Sequence, residues 1–364
     1  MLIRIFKRTS TINIGLLAYP IEFIAVYFCK IIAIFIRRSK PTNASNILLI
    51  KRSWACGNNV HESVCSYIKS SSSNSIIELS LDHDQSILNI LASEPLQSGL
   101  VTHIAVDVRF LFTNGAPIFY LRIVIELIIL SLYAYSKGAS FFIICPDYDS
   151  PGDQLLAHIL TFNGGTLVSL GQCPDLVRRG FVEANRMGPV PLVHNVLPFV
   201  SQVVPTHERN IDLFLGGSIY GERMRLYREL QAQVSEAGFR VLFALKHELS
   251  YQEFINVLLD TKLTFVGAEH SSSTPFSKRF VAQGKVAEAA ALGVVPVSQI
   301  NPALNTWYSP YNEYLPVDQE FSYKNAAGLI IDLLSNPDKL ELMSRSCVSK
   351  SISNHMLYSN IFKL

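Results

Sequence analysis

Two charged residues near the start of a predicted helix have the spacing of a site for an anion and a sugar hydroxyl. Lys285 and Glu288 stand three positions apart at the beginning of a helix predicted over 283–292. The exposed N–H groups and the dipole of a helix N-terminus favour an anion such as a diphosphate. The Glu288 carboxylate can then accept hydrogen bonds from a ribose diol. The alternative is an ordinary helix with a solvated glutamate in its first turns.

A glycine turn earlier in the chain offers a second place for phosphate. A strand is predicted over 211–215 from its apolar run. It is followed by a turn made of Gly216, Gly217 and Ser218. Arg223 comes next, in the first turn of a helix predicted over 222–237. Because a guanidinium group matches paired phosphate oxygens, Arg223 is the preferred candidate for a diphosphate contact.

This part of the chain resembles the nucleotide-sugar site of glycosyltransferases with the GT-B fold. The resemblance rests on Glu288, two of the alanines after it, Gly293, and the Pro296-Val297 pair. It also includes the glycine turn and the helix after it, and it extends over roughly 211–345. The resemblance implies a nucleotide-sugar donor whose ribose is bound by Glu288. It also implies that the backbone of the glycine turn and the basic side chains of the following helix, Arg223 and Arg225, face the donor phosphates.

The stereochemistry of a transfer stays open at this point. Many retaining members of these families carry a second acid eight residues before the ribose-binding glutamate, and Phe280 occupies that position here. An inverting transfer needs a base for the acceptor hydroxyl. His61 and Asp147 are the candidates, because each follows a predicted strand in the first half of the chain. A structural histidine and a turn with a helix cap are the alternative interpretations.

The alternation of strands and helices predicts an α/β protein with two Rossmann-like domains that face each other across a cleft, preceded by an apolar helix. The predicted first domain covers 46–172 and binds the acceptor. A proline-rich connection covers 173–208, and the nucleotide-sugar domain covers 209–364. Residues 1–45 form the apolar helix and its linker.

The amino-terminal segment is suited to contact with a membrane. Residues 12–36 are almost wholly apolar, but they include Glu22 and Lys30, and basic residues flank them on both sides. We expect a helix that lies in the membrane plane or spans it once, with its basic flanks near anionic headgroups. A helix packed on the protein's own body is the alternative.

Composition excludes several classes of function. The chain of 364 residues carries 31 Lys and Arg and 29 Asp and Glu, for a formal charge of +2, so there is no general electrostatic attraction to nucleic acid. Six cysteines are scattered without a CxxC pair, which indicates reduced thiols in a reducing compartment. Since no metal-ligand spacing is visible, we expect no metal and no cofactor.

These observations together predict a membrane-associated glycosyltransferase at the cytoplasmic face. It would move a hexosyl or related sugar from a nucleotide-sugar donor to a lipid-linked or cell-envelope glycan, as in polysaccharide biosynthesis. The alternatives are a sugar-nucleotide epimerase of the same fold and a non-catalytic scaffold that keeps the fold without turnover.

Overall fold

The structure, a computed structural model, describes thirteen stretches of the chain. These are residues 46–52, 59–71, 75–81, 101–107, 117–144, 166–169, 185–186, 190–217, 222–245, 248–266, 284–300, 304–317 and 323–358. The chain divides into two compact units, Met1–Met187 with Ile361–Leu364, and Gly188–Asn360.

A parallel sheet forms the centre of the first unit. Its described strands are β1 (Asn46–Arg52), β2 (Ser75–Leu81), β3 (Val101–Asp107), β4 (Ser140–Ile144), β5 (Thr166–Ser169) and β6 (Asn185–Arg186). They lie in the order β2-β1-β3-β4-β5-β6, and every pairing is parallel. The described helices are α1 (Asn59–Ser71) and α2 (Pro117–Ser136). Four consecutive apolar residues of β1, Ile47 to Ile50, are buried, as a strand with both faces covered requires.

The second unit is built on another parallel sheet. Its described strands are β7 (Ile211–Gly217), β8 (Val241–Leu245), β9 (Thr261–Val266), β10 (Val295–Gln299) and β11 (Leu315–Val317). Its described helices are α3 (Val190–Val196), α4 (Glu222–Glu236), α5 (Tyr251–Leu259), α6 (Gly284–Ala291), α7 (Tyr323–Leu334) and α8 (Pro337–Tyr358). The strand order is β11-β10-β9-β7-β8, again with parallel pairing throughout.

The order of the second sheet reverses direction at β7. The chain passes from β7 to β8 on one side and returns to β9 on the other. The rings of Tyr227 on α4 and Phe265 on β9 lie 5.6 Å apart, while Phe254 on α5 lies 6.1 Å from Phe214 on β7. Phe214 is aligned with Thr264, so the next residue, Phe265, faces the opposite side of the sheet. Helices α4 and α5 therefore cover opposite faces, as they do at a switch point of a doubly wound sheet.

Arg209 forms hydrogen bonds with backbone carbonyl groups at the opposite end of this sheet. Its buried guanidinium donates from Nη1 to the carbonyl oxygens of Thr261 and Gly293, both at 2.8 Å, and from Nε and Nη2 to the carbonyl of Val204. Burial lowers the pKa of Arg209 to about 10. Gly293 has a φ of 71°, which favours glycine there. The turn between α6 and β10 is thus held to the start of β9, and α6 has a fixed orientation.

Several elements differ from the sequence prediction. Gly216 and Gly217 are the end of β7 rather than a turn, and they are aligned with Ala244 and Leu245 of β8. The proline-rich segment contains α3, which packs against α6 and α8. Strand β11 was not predicted. The sequence predicts a helix over 337–348, and α8 continues ten residues further, to Tyr358.

The predicted apolar helix over 12–36 lies outside the described residues. Within the described part of the chain, no helix is long and apolar enough to cross a membrane.

Candidate functional site

The end of β7 forms one wall of the candidate site, because it lies at the carboxyl edge of the sheet where the strand order reverses. Two glycines occupy it for different reasons. A Cβ atom on Gly216 would overlap the ring of Phe214, whereas Gly217 has open space around its Cα and a φ of 119°. Glycine has no Cβ to overlap the ring at position 216, and it adopts the positive φ at position 217 without backbone strain. The half-buried Gly217 therefore leaves the backbone without a side chain at the place where doubly wound sheets bind ligands.

Lys285 joins the first turn of α6 to this wall. Its Nζ donates to the carbonyl oxygen of Gly216 at 2.7 Å and lies 4.6 Å from the centre of the Phe214 ring. A cation over an aromatic face is stabilised by the ring's electron density. Lys285 thus holds the end of β7 in place, and it also puts positive charge at the carboxyl edge.

Glu288 lies one turn further along α6 and is buried, with only 5% of its surface exposed. The hydroxyl of Tyr251, the first residue of α5, donates to Glu288 Oε1 at 3.5 Å. Burial raises the pKa of Tyr251, and the neighbouring Glu288 carboxylate raises it further. The phenol therefore remains a neutral donor. The burial of Glu288 excludes the interpretation as a solvated helix-terminal acid.

The capped start of α5 and aromatic packing hold Tyr251 in position. Ser250 caps α5 by accepting from the Glu253 amide at 3.3 Å, and the Glu253 carboxylate accepts from the Ser250 amide at 2.7 Å. This reciprocal capping box satisfies two amides at the helix start. The Tyr251 ring also packs 6.4 Å from the Phe254 ring, which in turn contacts Phe214. Sequence analysis did not identify Tyr251. The sequence feature that could have indicated Tyr251 is an aromatic residue directly after a serine that caps a helix.

Small side chains bring α6 close to the sheet. Ala287, Ala289, Ala290 and Ala291 are all buried, and α6 packs on β9 and β10. The short side chains let the helix backbone approach these strands, which sets the height of Glu288 above the sheet. The alanine residues after Glu288 in the sequence therefore allow α6 to pack close to the sheet.

The structure brings together four of the sequence-predicted site residues, namely Gly216, Gly217, Lys285 and Glu288. Arg223 lies in the first turn of α4 and His61 in the first turn of α1; only their backbone positions are described. Ser218 and Asp147 lie outside the described residues. Among the described residues, no group of three or more His, Cys, Asp or Glu side chains could hold a metal ion.

The chemistry available at this edge of the sheet is recognition of an anion next to a hydroxyl group. The Lys285 ammonium and the start of α6 favour negative charge, next to the half-buried backbone of Gly217. The Glu288 carboxylate, one turn along the same helix, is an acceptor for hydroxyl donors. A phosphorylated ligand with a sugar hydroxyl one helical turn from its phosphates matches this pattern.

Comparison with known proteins supplies evidence on the fold. No protein-family model matches the sequence, and no curated protein sequence is similar enough to match. A candidate UDP-N-acetylglucosamine 2-epimerase from Listeria monocytogenes is similar in structure, with a TM-score of 0.50 and 10% identity over 85% of this chain and 94% of that one.

Two other solved structures are similar over most of the chain. A glycosyltransferase from Rickettsia africae has a TM-score of 0.47 and 12% identity, over 88% of this chain and 100% of that one. The HepE protein from Anabaena, in complex with UDP-glucose, has a TM-score of 0.46 and 9% identity, over 87% of this chain and 98% of that one.

The predicted fold class of two Rossmann-like α/β domains is confirmed, while the apolar helix predicted before them lies outside the described residues. Two parallel α/β sheets in successive units, together with the likeness to the Listeria protein, show that the chain has the GT-B fold of two Rossmann-like domains.

Proposed function

We propose that the chain is a glycosyltransferase that binds a nucleotide-sugar donor on its second unit. The observation that carries the proposal is the buried Glu288 carboxylate, which lies one turn from Lys285 at the switch point of a parallel sheet. The GT-B fold and the resemblance of the 288–297 stretch to the donor motif of these enzymes support it.

Each site residue has a role in this proposal. Glu288 accepts hydrogen bonds from the donor ribose. The backbone at the end of β7 and the N-termini of α4 and α6 face the diphosphate, with Ser218 and Arg223 as further donors. Lys285 neutralises phosphate charge while it keeps its bond to the Gly216 carbonyl. No metal or cofactor enters the reaction as we propose it.

The reaction that follows from this arrangement is a group transfer. An acceptor hydroxyl attacks the anomeric carbon of the donor sugar, the bond from that carbon to the diphosphate oxygen breaks, and the nucleoside diphosphate leaves with the electron pair. A base takes the hydroxyl proton in an inverting reaction. His61 and Asp147 remain the candidates for that base, and the stereochemistry remains open.

The acceptor in this proposal is a lipid-linked or cell-envelope glycan reached at the cytoplasmic face of a membrane. The apolar segment over 12–36 and its basic flanks support membrane contact, either peripheral or as a single span. Nucleotide sugars of the cytosol supply the donor, and the scattered cysteines agree with such a reducing compartment.

A sugar-nucleotide epimerase is the second candidate. The likeness to the Listeria protein favours it, since that protein is a candidate UDP-N-acetylglucosamine 2-epimerase with the same fold. An epimerase binds the same class of ligand, but it needs no acceptor and no membrane segment. A scaffold without turnover would bind a nucleotide sugar and leave it unchanged.

The first test is a thermal-shift panel of uridine, guanosine, adenosine and cytidine diphosphates, because a ligand of the folded state raises the melting temperature. The best binder is then supplied as its nucleotide sugars, and the products are followed by NMR. Release of nucleoside diphosphate that increases with a glycan acceptor supports the transferase. Inversion at sugar C2 without an acceptor supports the epimerase. No binding by any diphosphate would refute the proposal.

A further inference from the structure

Tyr251 contacts the proposed ribose-binding carboxylate from a different element. It begins α5, which follows β8, whereas Glu288 lies on α6, which follows β9. Strands β8 and β9 flank β7 on its two sides. The hydrogen bond of 3.5 Å from the Tyr251 hydroxyl to Glu288 Oε1 therefore connects the two helices that follow the strands on either side of β7.

We propose that Tyr251 is a positioning and specificity residue, which orients the Glu288 carboxylate toward a ribose hydroxyl and so selects ribonucleotide over deoxyribonucleotide donors. The inference rests on the proposed function, because it concerns the ribose of the same nucleotide-sugar donor. It goes further by assigning a role to a residue outside the donor motif.

The geometry gives the hydroxyl this role. Glu288 is buried, so few water molecules are available to compensate its charge, and each protein donor determines how the carboxylate lies. The Tyr251 hydroxyl approaches Oε1 at the long limit of a hydrogen bond. Hydrogen bonds in a ligand-free site often shorten when the ligand is bound. A shortened bond would hold the carboxylate in one orientation for the ligand hydroxyl.

The ring of Tyr251 makes packing contacts that do not depend on its hydroxyl. It packs near Phe254, whose ring continues the contact to Phe214 beneath Lys285. Removing the oxygen alone leaves these ring contacts intact. Tyr251→Phe therefore tests the hydrogen bond without removing the aromatic packing.

A matched control is available on the opposite face of the same sheet. The buried Tyr227 donates its hydroxyl to the carbonyl of Phe265 at 3.3 Å, and its ring packs on Phe265 and Phe243. Tyr227→Phe thus removes a tyrosine hydroxyl from α4 that is more deeply buried than that of Tyr251. This second variant measures how much any lost tyrosine hydroxyl affects ligand binding through stability alone.

The experiment is calorimetry with the tightest-binding nucleoside diphosphate and with its 2′-deoxy and 3′-deoxy forms. Wild type, Tyr251→Phe, Tyr227→Phe, Glu288→Gln and the double variant at 251 and 288 are compared, with melting temperatures recorded for each. We expect Tyr251→Phe to weaken the ribonucleotide about three- to tenfold, as for one hydrogen bond, and Tyr227→Phe to leave it unchanged. We also expect a smaller effect on the deoxy form that lacks the recognised hydroxyl.

The double variant distinguishes a shared role from two independent ones. If Tyr251 acts through Glu288, adding Tyr251→Phe to Glu288→Gln causes little further loss of affinity. Tyr251→His, which keeps a ring and a donor, is expected to restore part of the discrimination. Equal weakening of the ribonucleotide and both deoxy forms by Tyr251→Phe would overturn the inference.

The two proposals fail in different ways. Normal ribonucleotide binding by Tyr251→Phe, together with weak binding by Glu288→Gln, would overturn the role of Tyr251 and leave the proposed function intact. No binding of any nucleoside diphosphate by the wild-type protein would overturn the proposed function and this inference with it.

Discussion

The Glu288 carboxylate is the residue on which donor recognition depends most directly. Glu288→Ala is expected to weaken nucleoside diphosphate binding by roughly 1–3 kcal/mol, because a charged acceptor for ribose hydroxyls is lost. The measurement is calorimetry on variants that remain folded by melting temperature. Glu236→Ala is the control, since Glu236 ends α4, at the opposite end of that helix from the site.

Removing Glu288 also removes the hydrogen-bond acceptor of the half-buried Tyr251 hydroxyl. Some loss of stability is therefore expected with the loss of affinity, and the two are separated by measuring both. Unchanged affinity in a folded Glu288→Ala variant would remove this residue from the site.

Alanine substitutions at the two glycines of β7 are expected to affect stability and diphosphate binding differently. Gly216→Ala places a Cβ atom against the Phe214 ring, on which Lys285 rests, so both stability and diphosphate binding should fall. Gly217→Ala has room for the methyl group but keeps a positive φ, at a cost of about 1–2 kcal/mol. Chemical denaturation and calorimetry would measure both effects.

Gly328→Ala is the control for these glycine variants. Gly328 lies inside α7, and no atom lies within 4 Å of a Cβ added there. Alanine should stabilise this helix by roughly 0.5–1 kcal/mol. If Gly216→Ala behaved like Gly328→Ala, the close contact of the Phe214 ring with Gly216 would be wrong.

At the scale of elements, sequence periodicity located most of the second sheet. The sequence predicts helices over 251–259 and 323–334 and a strand over 262–266. Helices α5 and α7 have these limits, and β9 begins one residue earlier. These elements combine an apolar run with a clear start signal, such as the Ser250 and Glu253 capping box. The information that defines them is local.

The elements that were missed depend on contacts distant in sequence. Strand β11 has three residues and is defined by its pairing with β10. Helix α3 lies in a proline-rich segment, and its packing on α6 and α8 stabilises it. Gly216 and Gly217 look like a turn in sequence, but backbone pairing with β8 makes them a strand. The Tyr251–Glu288 contact was missed for the same reason.

Helices α3 and α8 share a contact between two histidines that predicts a pH dependence of stability. The rings of His194 and His355 are stacked, with centroids 5.7 Å apart and planes at 11°. Burial lowers the pKa of both side chains from 6.5, and His194 further lowers that of His355. Protonating either ring brings positive charge into this packed contact.

The sign of the effect follows from linkage. Because these pKa values are lower in the folded chain, the unfolded chain binds protons first as the pH falls through 6.5. The free energy of unfolding should therefore be largely constant above this pH and decrease below it. His194→Gln and His355→Gln should each reduce that decrease, which denaturation at several pH values would measure.

His207→Gln is the matched control for the histidine prediction. His207 is exposed and lies near Glu208, with 3.7 Å between Nε2 and Oε1. This variant should keep the pH dependence of the wild type. The prediction would be contradicted if all three variants lost stability equally between pH 7 and pH 5.

At the scale of the whole molecule, a short motif predicted more than overall composition did. The resemblance of the stretch from Glu288 to Val297 to the donor motif of GT-B glycosyltransferases implied the fold, and both sheets have the parallel order that this fold requires. The position of the unit boundary could not be read from prolines, because α3 uses that segment to pack on the second unit. Proline density marks the region of a boundary without giving its residue.

The last prediction concerns the segment before the first described strand. Deleting residues 1–40 should release the protein from membranes and leave a folded core that still binds nucleoside diphosphate. The reason is that every described strand of the two sheets pairs with another strand that lies after this segment. The segment places apolar residues between two basic clusters, a composition suited to an anionic membrane surface.

Fractionation of full-length and truncated protein separates the possible modes of attachment. High salt should loosen a helix that lies in the membrane plane and is held partly by charge, because salt screens its basic flanks. A single span should resist both salt and alkaline carbonate. Replacing Lys7, Arg8, Arg37 and Arg38 by Gln provides the matched full-length control, since it removes flanking charge and keeps the apolar run. If the truncated protein sedimented with membranes, the attachment would lie elsewhere in the chain. If it could not fold, the segment would belong to the core and the membrane proposal would be wrong.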